Sequence, residues 1–215
     1  YYYGIVASNN MIPYVYVEND SVTQPPVIKK DYVFDTDMKS TRAANWDFET
    51  IDEELTKKAV AVIDKHFATD SKQPLFLYYP TSAIHRPCLP TTTKGKSGAG
   101  LRGDKILEFD VIVKQIVAAL KRNNAFDNTL LIITSDNGGQ PGDALLQMER
   151  LKNDLGDKYY PSEMINYQPQ YINPNGSASG KRGWVTYDHP SAGSYRGFKF
   201  DAWDGGHRVP LIMRW

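Results

Sequence analysis

The chain has 215 residues, and its 25 Lys and Arg are matched by 25 Asp and Glu, so no overall field draws it to nucleic acid or to an anionic membrane. Its apolar runs fall far short of a membrane span, and its length is enough for one large α/β domain or a part of one. A single cysteine, Cys88, excludes an internal disulfide and leaves the redox compartment open.

The start, Tyr1-Tyr2-Tyr3-Gly4, has neither an initiator methionine nor the pattern of a signal peptide, which is what a chain cut from a longer one would show. Two Asn-x-Ser sequons, at Asn19 and Asn175, read as chance matches. Tyr14-Val15-Tyr16-Val17 predicts a short strand closed by Asn19-Asp20, at an edge or in a flap. From Pro25-Pro26 to about Asn45 prolines and charges alternate without a period, which predicts a surface segment. Thr50 with Glu53 has the pattern of a capping box. Behind it Ile51, Leu55, Ala59, Val62, Ile63 and Phe67 recur at helical spacing, with Glu54, Lys57, Lys58 and Lys65 on the solvated side.

Leu75-Phe76-Leu77-Tyr78-Tyr79, between Pro74 and Pro80, predicts a buried strand that opens into Thr81-Ser82-Ala83-Ile84-His85-Arg86-Pro87. A second helix is expected from about Gly103 to Arg122, with Ile106, Phe109, Val113, Ile116, Val117 and Leu120 as its buried face. Then comes Leu130-Leu131-Ile132-Ile133-Thr134-Ser135, an apolar run that stops at Asp136-Asn137-Gly138-Gly139 and predicts a strand buried on both faces. Strand, helix, strand is the crossover unit of an α/β fold. If the two strands are parallel, His85 and Asp136 leave the sheet at one edge, outside the carboxyl ends where ligands gather. Asp136 and Asn137 carry hard oxygen donors suited to calcium or magnesium. On the local sequence alone, an Asx turn or hairpin tip stays open as the alternative.

Residues 140–194 form a long excursion with a possible amphipathic helix near Ala144 to Leu155, then a Tyr-rich and Asn/Gly/Ser-rich stretch. Tyr195-Arg196-Gly197-Phe198-Lys199, Trp203-Asp204-Gly205-Gly206-His207-Arg208-Val209-Pro210 and the final Leu211-Ile212-Met213-Arg214-Trp215 return to strand-like composition. There is no internal repeat.

Taken together and in order, these segments resemble the sulfatase family of the alkaline-phosphatase-like superfamily. The resemblance is carried by Tyr2-Tyr3-Gly4 with Ser8-Asn9-Asn10-Met11, by FLYYPTSAIHRP, by GDKILEFD, by DNTLLIITSDNGG and by YRGFKFDAWDGGHRVPLI, with Asp204 where the family usually has Glu. It implies an α/β fold with a mainly parallel sheet and helices on both faces, here incomplete, so that residues 1–215 are a partial catalytic domain. It also implies that Asp136 and Asn137 are two calcium ligands, and that His85 and Lys199 contact the sulfate group and ester oxygen as catalytic and substrate-binding residues. His189 is a further candidate for substrate contact, while Arg196, Asp204, His207 and Arg208 are expected to brace the loop. The chemistry suits these types: displacement at sulfur calls for cations around the equatorial oxygens and a proton donor near the departing oxygen.

The family's nucleophile is a formylglycine made within Cys/Ser-x-Pro-x-Arg. Cys88-Leu89-Pro90-Thr91-Thr92 matches the first and third positions, but Thr92 replaces the Arg and the segment follows the His85 turn, so Cys88 is read as a structural thiol and no nucleophile is assigned in this chain. The N-terminal nucleophile region and the C-terminal subdomain are expected to lie outside it, and the chain alone is expected to be inactive. Calcium and formylglycine are the implied cofactors. The implied partner is a sulfate ester, more specifically a sulfated carbohydrate, with Tyr159, Tyr160, Tyr167, Tyr171 and Trp184 as candidates for sugar stacking. Neither nucleic acid nor membrane is expected, and family habit implies a secreted, periplasmic or lysosomal home. A phosphate or phosphonate ester hydrolase, and a non-catalytic glycan-binding relic, are the alternatives.

Overall fold

The computed structural model describes residues 1–30, 40–69, 72–86, 88–140, 143–144, 184–185, 189 and 191–215. The chain divides into two compact units, Tyr1–Lys94 with Lys105–Asn128, and Gly95–Asp104 with Thr129–Trp215.

In the first unit, β1 (Tyr3–Ile5), β2 (Tyr16–Glu18) and β3 (Ser21–Val22) form an antiparallel sheet in that order. The strand expected at an edge or in a flap is therefore the middle strand. Asn19, with φ 56°, makes the tight turn into β3, a conformation that Asn tolerates better than most residues. A second antiparallel pair, β4 (Ile28–Lys30) and β5 (Ser40–Arg42), is joined to Tyr14 by a single parallel bridge at Arg42. The segment expected on the surface thus turns inward at its end. Ala43 and Trp46 are almost fully buried, and Trp46 and Phe48 pack on Tyr14 with ring centroids 5.6 and 4.8 Å away.

The helix α1 (Ile51–Ala68) buries Ile51, Leu55, Ala59 and Ile63, the stripe that its periodicity predicts. Its capping box does not form. Thr50 makes no side-chain cap, and Glu53 instead accepts the Thr91 hydroxyl at 2.7 Å, so a tertiary partner has displaced the local one. Asp52, Glu53 and Glu54 in the first turn still oppose the helix dipole favourably. The helix α2 (Gly100–Arg122) starts three residues before the expected Gly103. Ile63 of α1 meets Ala119 and Leu120 of α2 and Ala125, with Val60, Phe67, Leu75, Ile116 and Phe126 around them. An Arg122–Asp64 ion pair ties the two helices at their far ends.

Residues 75–79 depart from expectation. They form no ladder among the described residues, and while Leu75 joins the helix core and Tyr79 places its hydroxyl 2.7 Å from Thr56, Phe76 is 90% and Tyr78 78% exposed. Only Leu75 and Tyr79 are partly buried, while Phe76, Leu77 and Tyr78 are exposed, so it is not a strand buried on both faces.

In the second unit, β6 (Leu131–Thr134) pairs antiparallel with β9 (Leu211–Arg214), in the register Leu131 to Arg214 through Thr134 to Leu211. The apolar run thus finds its partner in the last segment of the chain, and Ile132 is 51% exposed instead of buried. All strand ladders among the described residues are antiparallel. A short pair, β7 (Asp143–Ala144) with β8 (Trp184–Val185), brings the two ends of the long excursion together. The helix expected from Ala144 to Leu155 lies outside the described residues apart from Ala144 itself, as do Tyr159, Tyr160, Tyr167 and Tyr171. One helical turn, α3 (Asp204–His207), precedes β9.

Candidate functional site

In the second unit the site is built on close backbone contact. At the carboxyl end of β6, Gly138 N–H donates to the Gly206 carbonyl at 2.9 Å, and Lys199 N–H donates to the Gly139 carbonyl at 3.0 Å. Gly205 N–H donates to the Arg196 carbonyl at 2.8 Å. These approaches leave no space for side chains. A Cβ on Gly138 would stand 1.9 Å from the Gly205 carbonyl oxygen, and one on Gly205 would stand 1.9 Å from that of Gly197. Two Gly-Gly pairs therefore hold the Lys199 loop against the strand end.

Within that frame the Asp-Asn-Gly sequence does make a turn. Asp136 Oδ1 accepts Asn137 N–H at 2.9 Å, the Ser135 hydroxyl donates to the Asn137 carbonyl at 3.0 Å, and Asn137 Nδ2 donates to the Gly138 carbonyl at 2.9 Å. The turn reading and the ligand reading are thus compatible. Asp136 is exposed, and its Oδ2 and the Oδ1 of Asn137 bond to no described residue. Two hard oxygens so disposed fit part of a calcium ligand set. Calcium takes six to eight oxygens, and among the described residues no group of three or more His, Cys, Asp and Glu gathers as a metal cluster.

Lys199 is half-buried with its ammonium 5.4 Å from the centre of the Phe200 ring. The φ of Phe200 is +80°, a conformation that costs a bulky residue energy, and residues held this way gather at functional sites. Around the loop, the Arg196 guanidinium lies 3.8 Å over the Trp203 ring, Arg208 lies 4.6 Å over Tyr195, and Arg208 pairs with Asp204 at 3.6 Å. His207 and His189 are exposed.

In the first unit, His85 sits in a turn with its N–H on the Ser82 carbonyl at 2.8 Å. Its Nδ1 lies 2.7 Å from the Arg86 carbonyl and 3.1 Å from Asn9 Oδ1. Two carbonyl-type acceptors at one ring nitrogen favour the tautomer with its proton on Nδ1. The Ser8 hydroxyl is 3.3 Å from both ring nitrogens. Cys88 is buried, with its sulfur 3.5 Å from the Ile84 carbonyl and 4.0 Å from that of His85, the setting of a structural thiol.

Beneath this turn lies a charged cluster that apolar periodicity could not reveal. Lys105 Nζ is 3.1 Å from Asp52 Oδ2 and 2.5 Å from Glu108 Oε1, and all three side chains are at most 5% exposed. Burial works against the Lys105 ammonium, but Asp52 and then Glu108 overcome it and hold its pKa above the ordinary lysine value. Asp52 opens the acidic run Asp52-Glu53-Glu54 and gave no sign of facing the core, where its carboxylate accepts backbone N–H groups. The roles of Ser8 and Asn9 had no signal apart from the resemblance of their segment.

The comparisons with known proteins agree with this frame. The family model described as Sulfatase matches residues 11–215. An N-acetylgalactosamine-6-O-sulfatase from Bacteroides thetaiotaomicron is 33% identical over 180 residues, 83% of this chain and 28% of that protein. Arylsulfatase H from Homo sapiens is 27% identical over 163 residues, 75% of this chain and 22% of that protein. A solved sulfatase structure from work on glycosaminoglycan metabolism by Bacteroides thetaiotaomicron superposes with a TM-score of 0.66 at 26% identity, covering 99% of this chain and 44% of that one. The chain thus spans less than a third of the length of these two curated relatives, and it has the α/β fold of the alkaline-phosphatase-like type seen in its structural neighbour. With the family model covering all but its first ten residues, this chain belongs to the sulfatase family.

Proposed function

We propose that the complete protein hydrolyses sulfate monoesters of a sulfated carbohydrate by a calcium-dependent formylglycine mechanism. The observation that carries this reading is the family match over residues 11–215, and the carbohydrate preference is supported by the 33% identity to an N-acetylgalactosamine-6-O-sulfatase. Asp136 and Asn137 would hold the calcium ion together with ligands from elsewhere in the protein. Bound there, the ion would supply positive charge to the sulfate oxygens, and formylglycine elsewhere in the protein would supply the nucleophile.

This chain's own residues have simpler duties. Lys199, its backbone anchored to Gly139, would bring an ammonium to the sulfate and its ester oxygen. His85, its Nδ1 engaged by Arg86 and Asn9, would hold a proton at Nε2 and deliver it to the departing oxygen. His189 is proposed as a weaker substrate contact, and Arg196, Asp204, His207 and Arg208 as supports of the Lys199 loop. Family habit favours a secreted, periplasmic or lysosomal site of action.

The test is turnover by the full-length protein on a panel of sulfated oligosaccharides and a small aryl sulfate. Release of inorganic sulfate from at least one oligosaccharide is expected. Cleavage of the aryl sulfate with none of the oligosaccharides touched would contradict the carbohydrate assignment. Tight glycan binding without any turnover would instead support the relic reading.

A further inference from the structure

The turn that carries His85 has almost no regular structure of its own, yet buried carboxylates hold both of its ends. On the near side, Asp52 Oδ1 accepts Ser82 N–H at 2.8 Å and Ala83 N–H at 3.2 Å, while Oδ2 accepts the Ser82 hydroxyl at 3.1 Å. On the far side, Glu108 Oε2 accepts Thr91 N–H at 2.8 Å and Thr92 N–H at 3.3 Å. Lys105 closes the arrangement, because its ammonium reaches Asp52, Glu108 and, at 3.5 Å, the Leu89 carbonyl within the turn itself. One carboxylate comes from α1 and the other from α2, and Lys105 pairs with both.

We propose that Asp52, Lys105 and Glu108 are positioning residues that fix the placement of His85 by gripping the turn at Ser82–Ala83 and at Thr91–Thr92. The inference rests on the proposed role of His85 in sulfate ester hydrolysis. Its physical basis is directional. A buried ion cluster can often be replaced by well-packed apolar side chains at no loss of stability, so stability alone gives no reason for three charges here. What apolar side chains cannot do is satisfy four backbone N–H groups of an irregular segment and so choose one path for it. The link to His85 is short: Asp52 holds Ser82, and the Ser82 carbonyl accepts the His85 N–H. A misplaced proton donor loses rate without losing substrate affinity, since it acts on the reaction step.

The experiment uses the full-length protein and reads two quantities side by side, the 15N ring signals of His85 and steady-state turnover of a sulfated oligosaccharide. Asp52→Leu removes the acceptor for Ser82 and Ala83, whereas Asp52→Asn keeps an oxygen at that position. For Asp52→Leu a displaced or doubled His85 signal is expected, with kcat lowered about tenfold or more and KM within about threefold; Asp52→Asn should recover most of both. If Asp52→Leu does not fold, the charge-balanced pair Lys105→Met/Glu108→Leu, which removes the acceptor for Thr91 and Thr92, takes its place with the same expectation. A folded variant with native His85 signals and native kcat would overturn the proposal, and so would failure of both variants to fold, which would make the cluster a stability element only. Should the native protein hydrolyse no sulfate ester, the functional reading falls separately, and movement of the His85 signals still decides the positioning role.

Discussion

Gly138 and Gly205 are in backbone contact: a Cβ on the first would stand 1.9 Å from the carbonyl oxygen of the second. Because the obstacle is main chain, no side chain can rotate away to relieve it. Gly138→Ala and Gly205→Ala should each destabilise the protein by about 3 kcal/mol or more, at the upper end of what overpacking costs. Denaturant titration of the full-length variants measures this, and a loss under about 1 kcal/mol would show that the two segments are not in contact.

His85 has its Nδ1 between two carbonyl oxygens, so the neutral ring should carry its proton on Nδ1. In 15N spectra of histidine-labelled full-length protein, the neutral ring should show Nε2 with the shift of an unprotonated nitrogen, and the cationic ring, the form that would donate to the departing oxygen, should show both nitrogens protonated. The opposite tautomer would sink the assignment of Nε2 as the working atom. Replacing the ring by His85→Gln should lower kcat by roughly 10²- to 10⁴-fold, the range of general acid catalysis.

Alkaline pH should unfold the first unit through groups that hold their protons more tightly when folded. Burial raises Tyr3 to about 12, helped by Glu54, Glu18 and Tyr1, and burial also raises Tyr16 and Tyr79. Lys105 is raised too, by Asp52 and Glu108 against its burial. For each group the folded pKa lies above the unfolded one, so the folded state binds more protons. The associated stability is complete below about pH 10 and is lost as pH rises through the folded values. Thermal melts of the full-length protein between pH 8 and 12 should show a falling midpoint from about pH 10 upward; a flat profile would contradict the burial of these groups.

Calcium should stabilise the native protein, because a ligand that binds only the folded state adds RT ln(1 + [L]/Kd). At a hundredfold excess over Kd the gain is about 2.7 kcal/mol. Asp136→Ala should abolish most of that shift while leaving the metal-free melting point nearly unchanged, since Asp136 is exposed and its bonds are local. An equal calcium shift in the variant would remove Asp136 from the ligand set.

The sequence showed the helices best and the charged interior least. Ile51, Leu55, Ala59 and Ile63 announce α1 because apolar spacing and burial report the same physics. The capping box at Thr50 and Glu53 failed because Thr91, distant in the chain, competes for Glu53. On α2, residues 104, 105 and 108 are as buried as any apolar neighbour, and periodicity counts only the apolar ones. The apolar run at 131–134 was correctly read as a strand, but its partner was not, since nothing local says that β9 returns antiparallel to it. For the site, the residue types at Asp136 and Asn137 were legible as oxygen donors, and the family resemblance added His85 and Lys199. Gly138 was read as a turn former and Gly205 as part of a strand-like segment, although the absence of a Cβ at both is what brings the Lys199 loop to the strand end.

The most direct measurement compares, with the full-length protein, kcat/KM for a sulfate monoester and for the phosphate monoester of the same sugar alcohol, before and after Lys199→Met. Faster turnover of the sulfate ester is expected, with a fall of about 10²-fold or more in that turnover when the Lys199 ammonium is removed. Preference for the phosphate ester, or sulfate turnover unaffected by Lys199→Met, would contradict this expectation.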